Sequence, residues 1–129
     1  MIRPLTEKDY PEIERMLKED FNQENRLQFL KSNHTFVLDN DGVKGFFTYY
    51  LFKGCPVLKH FLVFKNFRTP DMKYGRKLIR EFKNIIKESG FKNFITSANE
   101  DYVKKFIEYY FKVKSNHSLN NENYYLVEV

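Results

Sequence analysis

Apolar residues recur at helical spacing in four stretches of the chain, each bounded by residues that start or stop helices. The predicted helices span Asp9 to Phe21, Glu24 to Lys31, Tyr74 to Ile86 and Asn99 to Tyr110. The third is the most regular, because its apolar stripe faces away from a series of Lys and Glu residues. Ser89-Gly90 follows it as a stop signal.

Shorter β-prone runs between these helices predict strands. They span Ile2 to Leu5, His34 to Leu38, Val43 to Phe52, Val57 to Lys65, Phe91 to Ala98, Phe111 to Ser115 and Tyr124 to Val129. Asn40-Asp41-Gly42 predicts a hairpin, and Gly54-Cys55-Pro56 is expected to break the chain between two strands. The nearly continuous apolar run from Val57 to Lys65 predicts burial on both faces. A polar loop is expected between the last two strands.

The element order β-α-α-β-β-β-α-β-α-β-β predicts an α/β fold. Crossover helices in such an order imply a partly parallel central sheet with helices on both faces. The chain of 129 residues has no repeat and no Pro/Gly linker, so we expect a single domain over residues 1–129. Its 14 Phe and 9 Tyr supply enough large side chains for one core.

Charge and cysteine content narrow the expected cellular compartment and the expected class of ligand. Cys55 is the single cysteine, which excludes an intramolecular disulfide and favours a reducing compartment. The sequence shows no signal-peptide pattern and no run long enough to cross a bilayer, so we expect a cytoplasmic protein without membrane contact. The net charge of +5 favours a polyanionic ligand without choosing among nucleic acid, acidic protein and a phosphorylated cofactor.

Four local patterns, in this order, give the sequence a resemblance to the GNAT superfamily of acyl-CoA N-acyltransferases across essentially the whole chain. They are Ile2-Arg3-Pro4-Leu5-Thr6-x-x-Asp9, Val63-x-x-x-Phe67-Arg68, Gly75-x-x-Leu78-Ile79, and Asn99 with a helix closing at Tyr109-Tyr110-Phe111. The resemblance implies a GNAT-type fold and transfer of an acetyl group from acetyl-CoA to a primary amine. In its short length and altered cofactor loop, the chain is similar to GNAT-like proteins of bacteriophages.

The resemblance implies a cofactor site between Arg68 and Lys77, where backbone amides at a helix N-terminus would bind the pyrophosphate. The implied residues there are Arg68, Lys73, Tyr74, Gly75, Arg76 and Lys77. Only Gly75 keeps the family's glycine pattern, and Pro70 and Asp71 depart from it. A competing interpretation starts the helix early, with Thr69 as N-cap and Pro70 at its first position.

Other roles follow from the same resemblance. The backbone of Leu62, Val63 and Phe64 would pair with the pantetheine arm, as an added strand does. Asn99 would bind that arm or cap the following helix. Phe106 occupies the position of the family's acid tyrosine, so Tyr102, one helical turn earlier, is the predicted acid. Packing of both side chains in the core is the alternative.

His60, near the middle of the predicted central strand, is the predicted base, since imidazole titrates near neutrality. A buried core histidine is the alternative. His34 and His117 have no metal-ligand spacing, so no metal site is expected. Glu24, Asn25 and the segment from Ser115 to Asn123 are expected to line the acceptor site.

Three functions remain open at this stage. The first is an active N-acetyltransferase with an unidentified amine acceptor, and the second is a catalytically inactive GNAT-fold domain that binds CoA or a protein partner. The third, ranked last, is a basic nucleic-acid binder, suggested by basic residues interleaved with aromatics at residues 64–68 and 111–114. The sequence leaves monomer and homodimer equally open.

Overall fold

The computed structural model describes residues 1–22 and 26–129, with every side chain in those ranges except that of Tyr102. The helices and strands follow the predicted order. Strands β1 to β7 span Ile2–Pro4, His34–Asp39, Val43–Phe52, Cys55–Val63, Asn93–Ala98, Lys112–Leu119 and Glu122–Glu128. Helices α1 to α4 span Tyr10–Phe21, Leu27–Ser32, Lys73–Glu88 and Asp101–Tyr110. Two short 3-10 helices cover Glu7–Asp9 and Lys65–Phe67.

The seven strands form one mixed sheet with the order β1-β2-β3-β4-β5-β7-β6. β4 and β5 pair in parallel, with Val57 opposite Ile95 and Leu58 opposite Thr96. β1 with β2, β2 with β3, β5 with β7, and β6 with β7 pair antiparallel. The predicted α/β architecture with a partly parallel sheet is therefore confirmed.

The described residues form two compact units, one of residues 1–49 and 60–82 and the other of residues 50–59 and 83–129. In the first unit, alternate residues of β3 face opposite helices. Phe46 packs in a cluster with Ile13 and Leu30 from α1 and α2, whereas Phe47 meets Phe82 of α3 with ring centroids 5.4 Å apart. This alternation follows from the two-residue period of a strand and puts helices on both faces, as predicted.

The second unit has its own apolar core around β5 and β7. Phe94, Tyr125 and Val127 are fully buried. Phe94 and Phe111 meet edge to face with centroids 5.7 Å apart, which joins β5 to the end of α4. Large aromatic side chains thus fill this core, as the composition indicated.

An ion-pair network holds the first strand to the start of the first helical segment. The guanidinium of Arg3 donates two hydrogen bonds of 2.8 Å to the buried carboxylate of Asp9. It also binds Asp39 at 3.1 Å, and the backbone N–H of Thr6 donates to Asp9 at 2.9 Å. The Arg3 hydrogen bonds lower the pKa of Asp9 to about 2. The Arg-Pro-x-Thr-x-x-Asp motif therefore has a structural role here.

The expectation of a polar loop from Ser115 to Asn123 is wrong. β6 continues to Leu119, and β7 starts at Glu122. Asn120 and Asn121 form the whole turn, with φ angles of 50° and 65°. Two successive residues with positive φ are typical of a tight hairpin turn, and asparagine tolerates that conformation nearly as well as glycine.

The predicted break at Gly54-Cys55-Pro56 is also misplaced, because β4 begins at Cys55. Lys53 and Gly54, with φ angles of 50° and 77°, form a tight turn between β3 and β4. Pro56 fits at the start of a strand. Burial of β4 on both faces is wrong as well, since Leu58 and His60 are buried and Lys59 between them is exposed.

Among the described residues, no helix is both long enough and apolar enough to span a bilayer.

Candidate functional site

The segment before α3 is a turn, so the interpretation that started this helix at Pro70 is wrong. The backbone N–H of Met72 donates to the Thr69 carbonyl at 3.0 Å, closing a four-residue turn. Met72 has a φ of 56°, which is left-handed and interrupts any helix. The α3 ladder then begins with the Arg76 amide, which donates to the Met72 carbonyl at 2.9 Å.

The backbone N–H groups in the first helical turn of α3 face the space beside the Thr69–Met72 turn. The Lys73 N–H lies 3.4 Å from Thr69 Oγ1 and also faces the Asp71 carboxylate. Among the described residues, no acceptor is recorded for the amides of Tyr74 and Gly75. Such amides at a helix N-terminus are the usual ligands of a phosphate group.

Asp71 lies at the mouth of this turn. Its carboxylate accepts a short hydrogen bond from the Thr69 hydroxyl, and this bond, together with the Lys73 amide and the charge of Arg76, lowers its pKa. An ionised Asp71 satisfies part of the positive end of α3 and would repel a second anion there. The sequence already indicated this conflict between the Asp71 carboxylate and a bound phosphate. In the structure, Asp71 lies in the turn before α3 and outside the helix itself.

Gly75 is buried in the first turn of α3, yet a methyl group added to its Cα would meet no atom within 4 Å. Its φ is not in the left-handed region. Neither packing nor backbone conformation therefore requires glycine at this position in the free protein. Close approach of a ligand to the backbone is the remaining physical reason for a glycine.

The basic side chains of the predicted site differ in whether they already contact other groups of the protein. Arg68 donates from Nε to the Val63 carbonyl at 2.9 Å, and its guanidinium lies 5.3 Å from the Phe21 ring centroid. The Lys73 ammonium lies 4.9 Å from the Tyr74 ring. Arg76 is exposed and Lys77 half-buried. Arg68 therefore positions the end of β4, while Arg76 and Lys77 are the better candidates for phosphate contacts.

Backbone groups at the end of β4 alternate between its two edges. The Phe64 N–H donates to the Lys44 carbonyl at 3.0 Å, so Phe64 is bonded toward β3. Because successive residues of a strand point their polar groups to opposite sides, Leu62 shares this direction and Val63 does not. Of the three predicted residues, Val63 alone directs its backbone groups away from β3, and its carbonyl already accepts the hydrogen bond from Arg68 Nε.

His60 is enclosed by aromatic side chains. It is 8% exposed, and its ring centroid lies 5.4 Å from that of Phe29 and 6.4 Å from that of Phe46. The imidazole thus points to the face of β4 that α1 and α2 cover. This packing is that of a core residue, and its role as a base stays a prediction.

Asn99 and Tyr102 belong to the second unit, whereas the other predicted site residues belong to the first. Asn99 is exposed, and the N-cap of α4 is Glu100, so the capping role for Asn99 is wrong. Tyr102 lies in the first turn of α4, and its side chain is outside the described residues. Phe106 is half-buried and packs against Tyr110 and Phe111 with centroid distances of 4.7 and 5.9 Å, so its core role stays a prediction.

The predicted acceptor residues are described only in part. Glu24 and Asn25 lie outside the described residues, and residues 115–123 form the β6–β7 hairpin. A cavity of about 310 Å³ in the first unit is lined by Arg3, Asp9, Asp39, Lys44 and Phe67, among others, and by none of the predicted site residues. Within residues 1–22 and 26–129, no group of three or more His, Cys, Asp or Glu residues could hold a metal ion.

The left-handed Met72 and the Thr69–Met72 turn were missed at the level of sequence. Glycine or asparagine normally marks a residue with positive φ, and methionine gives no such signal. The usable signal was Pro70-Asp71, since Pro is favoured at the second position of a turn as well as at the start of a helix. One dipeptide thus supported two incompatible local structures.

No family model and no curated protein matches the sequence. Solved structures do match over nearly the whole chain. The PaiA N-acetyltransferase from Thermoplasma acidophilum, in complex with coenzyme A, is 14% identical with a TM-score of 0.75, covering 100% of this chain and 98% of that one.

Two further structures agree with this match. A GNAT-family acetyltransferase from Staphylococcus aureus Mu50 is 17% identical with a TM-score of 0.74, covering 99% of this chain and 98% of that one. A GNAT-family acetyltransferase from Elizabethkingia anophelis with acetyl-CoA bound is 14% identical with a TM-score of 0.68, covering 100% and 96%. The chain therefore has the GNAT fold, and the resemblance to the GNAT superfamily that its sequence predicted is confirmed at the level of the fold.

Proposed function

We propose that the chain is an N-acetyltransferase that transfers the acetyl group of acetyl-CoA to a primary amine. The observation that carries the proposal is the first turn of α3. There a left-handed residue ends the preceding turn, two backbone amides have no recorded acceptor among the described residues, and Gly75 has no packing reason to be glycine. Structures of the same fold with CoA or acetyl-CoA bound support it.

In this proposal the pyrophosphate of acetyl-CoA accepts hydrogen bonds from the Tyr74 and Gly75 amides. The dipole of α3 favours the negative charge, and Lys73, Arg76 and Lys77 add side-chain contacts. The pantetheine arm accepts a hydrogen bond from the Val63 N–H, as an added strand would, because the Val63 carbonyl already accepts from Arg68. Asn99 stays a predicted contact of that arm.

Acyl transfer needs a base for the amine and an acid for the thiolate. We assign the first role to His60 and the second to Tyr102. The attacking nitrogen must lose a proton as it bonds to the acetyl carbon, and a neutral imidazole can accept it. The departing CoA sulfur takes a proton from the tyrosine hydroxyl. His60 can act only if the amine reaches the side of β4 that faces Phe29 and α2.

A second function, CoA or partner binding without turnover, is favoured by two observations. Asp71 places a carboxylate at the mouth of the phosphate loop, and Phe106 replaces a hydroxyl with a ring packed among other aromatics. An assay of transfer separates the two functions. Where the second function is CoA binding, the cofactor binds the first turn of α3 as it does in the first function.

Gly75→Ala tests the binding step directly. Since the methyl group would meet no protein atom within 4 Å, the variant should fold normally but obstruct a ligand that approaches the backbone. We expect acetyl-CoA to raise the Tm of the wild-type protein and to bind the variant about tenfold more weakly, a loss of about 1.4 kcal/mol. Titration calorimetry measures the difference.

Two variants control and extend this measurement. Lys18→Gln removes an exposed cation on α1 and should leave acetyl-CoA binding unchanged. Release of free CoA thiol with a panel of amines then tests catalysis, and His60→Gln and Tyr102→Phe should lower the rate with little change in cofactor affinity. Equal binding by wild type and Gly75→Ala, or no Tm shift at all, would contradict the proposal.

A further inference from the structure

The solvent face of α3 carries cations along its whole length. The helix contains six basic residues and two acidic ones. At 100° per residue, the basic side chains fall within an arc of about 120°, and both glutamates fall outside it. The six residues, which we call the α3 ridge, are Lys73, Arg76, Lys77, Arg80, Lys83 and Lys87.

The ridge is poor in ion pairs with neighbouring carboxylates, although the charge of Arg76 helps to lower the pKa of Asp71. Among residues 1–22 and 26–129, the recorded salt bridges use Arg3, Arg15 and Lys112, and none uses a ridge residue. Arg80 and Lys87 are exposed. Like charges one helical turn apart repel each other, so a row of this kind is costly unless an anion binds along it.

The ridge is longer than a cofactor phosphate site requires. At 1.5 Å per residue, Lys73 and Lys87 are about 21 Å apart along the helix axis. The proposed pyrophosphate contacts use the first turn and a half of α3, which leaves Arg80, Lys83 and Lys87 unassigned. A chain of regularly spaced anions would match this remaining length, and a single small anion would not.

Within the second unit, Lys83 of the ridge is connected through the buried Phe111 and a series of ring contacts to two exposed tyrosines. The Lys83 ammonium lies 5.2 Å from the Phe111 ring centroid. Phe111 packs on Phe106, which packs on Tyr110, whose ring lies 4.8 Å from that of Tyr109. Tyr109 is 80% exposed and Tyr110 is 42% exposed. Cations beside exposed aromatic rings are the combination that binds single-stranded nucleic acid.

We propose that the C-terminal part of the α3 ridge, with Tyr109 and Tyr110, binds single-stranded nucleic acid without sequence preference. The phosphates contact Lys83 and Lys87, and bases stack on the tyrosines, all within the second unit. An acidic protein could neutralise the basic side chains of the ridge, but it has no bases that would stack on the exposed tyrosines. This inference is independent of the proposed acetyl transfer, since it uses neither Gly75 nor the loop before α3.

The test is fluorescence anisotropy with a labelled oligothymidylate of about 12 nucleotides, recorded at several salt concentrations with saturating acetyl-CoA present. The double variant Lys83→Gln/Lys87→Gln should bind about tenfold more weakly and lower the salt slope by about 1.4, or about 0.7 for each lost contact. Tyr109→Ala should weaken binding about tenfold without changing that slope. The matched control Lys8→Gln/Lys18→Gln removes two exposed cations elsewhere and should change affinity less than about twofold.

Several results would overturn the proposal. These are absence of salt-sensitive binding, an equal loss in the ridge and control variants, and complete displacement of the oligonucleotide by acetyl-CoA. Polyglutamate that binds as tightly as the oligonucleotide would assign the ridge to an acidic protein instead. Gly75→Ala should keep full oligonucleotide affinity, which separates failure of this inference from failure of the proposed acetyl transfer.

Discussion

Gly45 on β3 and Gly75 on α3 are both buried, but only one of them is required by the fold. A methyl group on Gly45 would overlap the Leu62 carbonyl oxygen and lie 3.1 Å from Leu78 Cδ1. A methyl group on Gly75 would meet nothing within 4 Å. The first glycine lets the backbone of β4 and a side chain of α3 approach β3. The space beside Gly75 is not filled by any neighbouring residue of the free protein.

The difference separates structural from functional constraints. Where a neighbouring atom fills the space beside a glycine, packing explains the residue. Where the space is empty and the backbone conformation is ordinary, neither packing nor conformation explains the residue, and the proposed cofactor is the explanation that Gly75→Ala tests. Sequence alone gives both glycines the same weight, whereas substitutions at the two sites should have opposite effects on stability.

The largest expected effect is therefore that of Gly45→Ala. Overlap with a backbone oxygen forces β3 and β4 apart, so the free energy of unfolding should fall by about 3 kcal/mol. Urea denaturation measures it. The matched variant Gly75→Ala should instead keep or raise stability, by up to about 1 kcal/mol, since alanine is the better helix former. Equal losses in the two variants would contradict the comparison.

Asp9→Asn should have the next largest effect and tests a constraint set by charge. The pKa of Asp9 is lowered to about 2 by Arg3, so its ionised form stabilises the fold above about pH 4 and this contribution disappears as the pH falls toward 2. At pH 7 we expect the variant to be about 2 kcal/mol less stable than the wild type, and the difference to shrink toward zero near pH 2.

Unfolding curves across this pH range provide the measurement for Asp9. Glu14→Gln removes an exposed carboxylate on α1 and should match the wild type at every pH. A stability difference for Asp9→Asn that does not change between pH 7 and pH 2 would exclude an electrostatic origin.

Much of the fold could be predicted, because the signals that specify it are local. Most elements were predicted to within a few residues. The signals were local ones, such as the apolar stripes of α1 and α3 and the Asn40-Asp41-Gly42 turn. The length of β6 and the tight β6–β7 turn were missed because the turn uses Asn120 and Asn121 without glycine, and because β6 is an exposed polar strand with no apolar alternation.

The candidate site was less predictable, because its properties depend on tertiary contacts. The resemblance placed the phosphate loop between Arg68 and Gly75, and the structure does form a turn there. The sequence did not show that Arg68 binds the Val63 carbonyl or that Phe64 is already bonded to β3. It also could not distinguish a glycine required for packing from one that faces an empty space.

The smallest expected effect, and the most informative about the loop, is that of Asp71→Asn. The carboxylate of Asp71 accepts from Thr69 and Lys73, so the side chain stabilises the start of α3 in the free protein. It also places a negative charge where the proposed pyrophosphate binds. The variant should therefore lose a little thermal stability and bind acetyl-CoA a few-fold more tightly, most visibly at low salt, because screening weakens the repulsion.

Calorimetry at low and high salt measures this change for Asp71→Asn. Asp101→Asn, at the first turn of α4, removes the same charge at another helix N-terminus and should leave affinity unaltered. If Asp71→Asn weakens binding instead, the carboxylate must order the loop for the cofactor, and the turn before α3 would then be an active part of the site. An affinity gain combined with a stability loss would place Asp71 with Gly45, among the residues that the free protein explains, and apart from Gly75.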